Sequence, residues 1–223
     1  MKRRLFPYIV GLALAAVVLG SSVEFRRLDA KRAEDQAARF SPAEYARTFW
    51  DNRLPAALDA AQPAGELIRL FNTAMEVAVA RGRTLGQSRT HAYLLEGLGR
   101  IVAVEKDGLL VSILPDDPNP EVLIRTGSYI PGNAVRDASG LVDVSAFPDT
   151  MKFNRISAEI NRIVVLEVIS PLLDRQLQAG MNVRFAGAAE VAEDATEDVP
   201  FGGRKADGSW HLLKVVPIRL EFE

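Results

Sequence analysis

The chain has 223 residues with 27 basic and 29 acidic side chains, two histidines and no cysteine, for a formal charge of −2. No basic face is visible, which argues against a nucleic-acid partner, and without thiols neither a disulfide nor a cysteine-bound metal is available. In an oxidising compartment the fold would have to be held by packing alone.

Lys2, Arg3 and Arg4 precede an apolar run from Leu5 to Val23, and Glu24 is the first acidic residue. Residues 1–23 read as a signal peptide or a membrane anchor, and the positive-inside rule places the rest of the chain across the membrane. Uncleaved, the run is about long enough to span a bilayer. Val18-Leu19-Gly20-Ser21 has the form of a lipobox in which Ser21 occupies the place of the lipidated cysteine, so no lipid is expected. The expected location is the periplasm, anchored in the inner membrane or released after cleavage. Residues 24–40 are rich in charge and alanine, as suits a solvated tether.

Residues 41–82 are expected to form a helical pair. Ser41 is placed as the N-cap of the first helix, with Pro42 in the first turn and Glu44 closing a capping box. Tyr45, Phe49 and Trp50 give it an apolar face, and Pro55 should kink or divide it. The second helix follows Pro63, with Leu67, Leu70, Phe71, Ala74, Met75 and Ala78 at helical spacing and Gly82 as its stop. Arg83 to Tyr93 shows no period and reads as a loop.

Residues 83–223 are expected to form a β-rich domain. Gly99 to Lys106 and Leu109 to Leu114 flank Asp107-Gly108, a strong hairpin turn. Glu121 to Thr126 makes a third strand. Phe153, Ile156, Ile160 and Ile163 mark a long helix, interrupted at Ser170-Pro171 and ended by Gly180. Met181 to Val191 and Trp210 to Phe222 complete five strands, separated by an acidic loop from Glu190 to Asp198. Three strands, a helix and two more strands is the order of an OB-type Greek-key barrel. The expected fold is therefore α+β: an OB-like five-stranded antiparallel barrel with an inserted helix, preceded by the helical pair and a membrane anchor.

Catalytic signatures are weak. Gly97-Leu98-Gly99 lacks the third glycine of a dinucleotide fingerprint and reads as a bulge at strand entry. His91 and His211 have no second metal ligand at useful spacing, and Ser88 and Ser209 beside them lack a nucleophile elbow. The acidic run lacks the ligand pattern of a calcium loop. No catalytic residue, metal or cofactor is expected. Arg136-Asp137, after the third strand, reads either as a salt bridge fixing the loop or as a ligand contact. Asn161, beside the apolar stripe of the long helix, could bond a loop carbonyl or a ligand. Arg136, Asp137 and Asn161 are the candidate ligand-binding residues.

Several stretches carry a resemblance: the export segment, Ser22 to Lys31, Phe49 to Leu54, Gly97 to Val104, Gly132 to Ala138 and Val216 to Glu221. Together they resemble the bacterial predicted periplasmic lipoproteins of the domain-of-unknown-function family 2291. That family has no assigned activity, and its members are often encoded beside sugar-type ABC transporters. The resemblance implies an accessory envelope role, with a transporter component or a small polar solute as partner. An unrecognised envelope enzyme and a structural interaction module are the alternatives.

Overall fold

The computed structural model describes residues 40–114, 119–147, 150–196 and 199–223. Its strands are β1 (Gln62–Pro63), β2 (Thr90–Glu105), β3 (Gly108–Ser112), β4 (Val122–Arg125), β5 (Asn182–Ala192) and β6 (Leu213–Phe222). The sheet order is β1-β2-β3-β4-β6-β5, and β5 pairs again with β2. β4 and β6 run parallel, Val122 opposite Leu213, where an antiparallel arrangement was expected: after β4 the chain passes through helices and through β5, itself antiparallel to β6, before β6 returns beside β4. β2 serves three neighbours along its length, pairing in parallel with β1 at Leu95 and Glu96, and antiparallel with β5 from Thr90 to Arg100 and with β3 from Arg100 to Glu105.

β2 begins at Thr90, so the end of the expected Arg83–Tyr93 loop is strand. The alternation that would have revealed it is absent because His91, Ala92, Tyr93, Leu94 and Leu95 are all buried. Tyr93 and Leu95 point into the core between the strands, while a short helix, α5 (Ala134–Ser139), packs on β2 and β5. With both faces covered, apolar residues are favoured at every position. Gly97-Leu98-Gly99 lies inside β2 rather than at its entry. Gly97 sits opposite Phe185, whose ring a β-carbon there would meet at 2.7 Å. The β2–β3 turn falls on Lys106-Asp107, and Gly108 opens β3 opposite Glu105.

The expected helical pair is divided into more segments. Ser41 caps α1 (Pro42–Thr48), its side chain accepting from Glu44 N at 3.3 Å. The helix then continues through a π-helical turn, Phe49–Arg53, into α2 (Leu54–Leu58). Pro55 therefore does not divide it: the wider turn precedes the proline, with the Leu54 amide bonding Phe49 O five residues back. α1 packs on α6 (Thr150–Ile163), and Arg47 joins Asp51 to Glu167. The helix after Pro63 is broken at Ala74 into α3 (Ala64–Thr73) and α4 (Met75–Ala80). Gly82 ends α4 by making room, since a β-carbon there would overlap the Tyr93 ring at 2.6 Å.

Two apolar layers result. Leu67, Ile68 and Phe71 of α3 enter one core with Tyr93, Leu95, Ile101, Val111, Ile124, Phe185 and Val215 of the strands. The helix that fills this core is thus α3, not the one inserted between the third and fourth strands. That helix, α6, buries the expected Phe153, Ile156, Ile160 and Ile163 and packs on α1 and α5. It continues through a π-helical turn, Val164–Ile169, and one 3-10 turn, Ser170–Leu172. It ends well before Gly180, which lies in a separate turn at φ +95°. Among the described residues no helix is long and apolar enough to cross a membrane. The apolar run from Leu5 to Val23 and the tether lie outside the described residues, apart from Phe40.

The β5–β6 ladder shifts register between Ala186 and Gly187. There a β-carbon on Gly187 would lie 2.5 Å from the Val216 carbonyl oxygen, a backbone atom that cannot yield without opening the ladder. Gly187→Ala should destabilise the protein by about 2 kcal/mol, read as a lower denaturant midpoint at unchanged slope. An unchanged midpoint would show that the ladder gives way freely.

Candidate ligand-binding cleft

β4 is followed by the irregular segment 126–133, which enters α5 at Asn133. Asn161, one face-turn from the apolar stripe of α6, donates from Nδ2 to Ile130 O at 3.0 Å and to Gly132 O at 2.9 Å. One amide thus fastens the segment to the helix by carbonyls that would otherwise lack a partner. Between segment and helix lies a cleft of about 350 Å³. Ile130, Ala158 and Val165 give it apolar walls, while Ser128, Asn133, Asn154, Ser157, Asn161 and Arg162 supply polar groups. Tyr129 also lines it and is 78% exposed. Among the described residues no carboxylate lines the cleft.

Ser157 is the informative residue. It is only 3% exposed, yet its Oγ bonds no protein group. A buried hydroxyl without a partner costs about 1–3 kcal/mol, so a serine kept there in place of alanine needs a reason. Asn154, Ser157 and Asn161 stand at i, i+3 and i+7, a polar stripe running beside the apolar one. That spacing is present in the sequence, but the apolar residues between them mask it with a pattern that signals packing alone.

Of the three candidate residues, Asn161 lines the cleft and the other two do not. Arg136 and Asp137 lie on α5, a helix where a loop was expected. Arg136 is 2% exposed, and its guanidinium is held by protein groups. Nε donates to Asp137 Oδ1 at 2.6 Å and Nη1 to Phe153 O at 3.1 Å, with the plane 3.7 Å over the Phe153 ring. A longer contact of 3.4 Å reaches Asn154 Oδ1. Arg136 therefore ties α5 to α6 and orients one amide of the cleft.

Glu190 of β5 lies behind the segment, its Oε2 against Gly132, and receives a hydrogen bond from the Asn133 amide. Burial foremost, and the Asp137 charge second, push its carboxyl above the ordinary value, against the pull of that amide, Arg136 and Arg125. The histidines lie apart from this arrangement. His91 Nε2 contacts Glu193 Oε1 at 2.9 Å, while His211 stacks on Phe201 and bonds Val199 O. Burial holds His211 below the ordinary histidine value. Ser88 Oγ accepts from Thr90 N, and Ser209 Oγ donates to Asp207, so both hydroxyls serve local turns. Among the described residues no group of three histidines or carboxylates could hold a metal.

An acid held above its ordinary value binds more protons folded than unfolded. Stability therefore falls as pH rises from 4.5 through the folded value of Glu190, and the loss persists above it. Glu190→Gln should be more stable than the wild type at neutral pH, with the gain vanishing well below 4.5. Urea denaturation at the two pH values measures it; a variant weaker than the wild type at neutral pH would contradict the assignment.

Comparison with known proteins adds family and fold. The family described as "Predicted periplasmic lipoprotein (DUF2291)" matches residues 13–202. An OB-fold protein from Thermotoga maritima MSB8, known from its crystal structure, superposes with a TM-score of 0.68 at 24% identity, covering 83% of this chain and 99% of that one. No curated protein matches.

Proposed function

Because the chain belongs to the DUF2291 family of predicted periplasmic lipoproteins, we propose that it is a non-catalytic periplasmic binding protein whose cleft takes a small, neutral, hydroxyl-rich solute. The observation that carries this reading is the buried Ser157 hydroxyl, without a protein partner, in a cleft lined by amides and no carboxylate. Amides and hydroxyls offer both donors and acceptors, as a sugar-like solute requires. Tyr129 supplies an apolar ring on which a sugar face can lie. A volume of about 350 Å³ falls at the small end of ligand pockets.

The strand circuit β2-β3-β4-β6-β5, returning to β2, is on this reading a closed OB-type barrel that gives the cleft a rigid back. Residues 5–23 act as a proteinaceous anchor in the inner membrane, since Ser21 offers no thiol for a lipid. A tethered solute binder of this kind suits an accessory of a carbohydrate uptake system, with a transporter component as its partner. Arg136 and Asp137 contribute by holding α5 and Asn154 in place.

Thermal melting of the full chain against a panel of neutral sugars tests the cleft. A bound sugar at about one hundred times its Kd adds about 2.7 kcal/mol to stability, a readily seen rise in Tm. Ser157→Ala should leave the ligand-free Tm unchanged or raised, because it deletes an unsatisfied hydroxyl, and should weaken sugar binding about tenfold. If no neutral sugar shifts the wild type, or if Ser157→Ala binds as tightly as the wild type, the reading fails.

A further inference from the structure

A second concavity, of about 390 Å³, lies between α2, the start of β2 and the end of α5. Its walls are small and apolar, formed by five alanines, two of them on α2, together with Tyr93 and Leu94, and its polar edge is cationic. Arg53, Arg81 and Arg83 all line it, and among the described residues no carboxylate does. All three are exposed, and together they give the concavity a positive edge that attracts an anion.

The three guanidinium groups differ in their partners. Arg81 is paired with Glu66 at 2.7 Å. Among the described residues Arg53 bonds neutral acceptors, the Tyr45 hydroxyl at 3.1 Å and the Leu141 carbonyl, and its charge meets no carboxylate. Arg83 makes no side-chain hydrogen bond or ion pair among the described residues, yet it is placed with care. Its backbone is bridged to Ala92 in both directions, and its guanidinium lies on Gly140, where a β-carbon would come within 2.4 Å of Nη1. Gly140, at φ +63°, is the residue that ends α5 and leaves that space bare.

Gln62 supplies an independent observation. Its Nε2 donates to Arg81 O at 3.2 Å, which fixes the orientation of the amide, and its Oε1 is buried with no protein donor. The site therefore combines two guanidinium charges not matched by a carboxylate with an acceptor that a ligand hydroxyl could satisfy.

The geometry points to an anion site in this concavity, separate from the cleft on α6, for a small hydroxylated solute carrying a phosphate or carboxylate group. Arg53 and Arg83 take the anionic group, for which the guanidinium fork is suited, and Gln62 accepts from a hydroxyl. The concave shape and small volume favour a single small molecule over an acidic protein surface. This inference does not depend on the neutral-solute reading, because the two cavities share no lining residue.

Isothermal titration of the full chain in detergent, with inorganic phosphate, glucose 6-phosphate, glucuronate and uncharged glucose, tests it. At least one charged probe should bind, more weakly as salt is raised, and the probe that binds identifies phosphate or carboxylate as the group recognised. Its NMR shift changes should centre on the amides of Arg83, Ala92 and Leu141. Arg83→Gln should melt with the wild type, since the guanidinium has no protein partner, and should weaken the charged probe about tenfold. Arg155→Gln, an exposed change on α6, should bind as the wild type. The proposal is overturned if no charged probe binds, if glucose binds as tightly as its charged derivatives, if shifts centre elsewhere, or if Arg83→Gln retains full affinity.

Discussion

The first half of β2 is the constraint on which the rest depends. From His91 to Leu95 every side chain is buried, because the strand lies between the core of the sheet and the α5 layer. Burying a Leu or Tyr side chain contributes about 1.5–3 kcal/mol, so this short stretch fastens two layers at once. Tyr93 does so most directly. Its ring meets Phe71 edge-on, its hydroxyl donates to Ala78 O at 3.1 Å, and burial raises its pKa. It thereby joins α3, α4 and the sheet.

Both cavities follow from that arrangement. α5 can sit on β2 and β5 only if the segment after β4 is drawn across the sheet, and Asn161 holds that segment against α6. The space left between them is the neutral cleft. On the other side, where α5 ends at Gly140 and α2 passes nearby, the arginines line the second concavity. The chemistry of the two differs: the first is lined mainly by amides and hydroxyls, with its Arg162 paired to Glu159, and the second is edged by three arginines. A binding role for a periplasmic family member is compatible with both.

Much of the architecture is legible in the sequence where one face of an element meets solvent or where local chemistry is strong. The stripe Phe153, Ile156, Ile160 and Ile163 identifies α6, Ser41-Pro42 places the start of α1, and the order of strands and helix matches the OB-type arrangement. The beginning of β2 is hidden because two-sided burial erases alternation. α5 is hidden because six residues are too few for a helical period to stand out, and because Gly132 and Gly140 on either side read as loop. Helix partners are illegible for another reason: both α3 and α6 carry an apolar stripe, and a stripe does not say which layer it faces. Within the site, Asn161 is marked by its position beside the stripe. Ser157 is not, because a serine between apolar helix residues carries no local signal of being unsatisfied.

If β2 is the common support of both layers, native-state hydrogen exchange of the full chain will show it directly. The amides of Ala92 to Leu95 should exchange only through global unfolding, with the same free energy as the amides of β5 opposite them. If Ala92 to Leu95 exchange by a low-energy local opening while β3, β4 and α6 stay protected, β2 is not the element that holds the layers together, and the two cavities do not owe their shape to it.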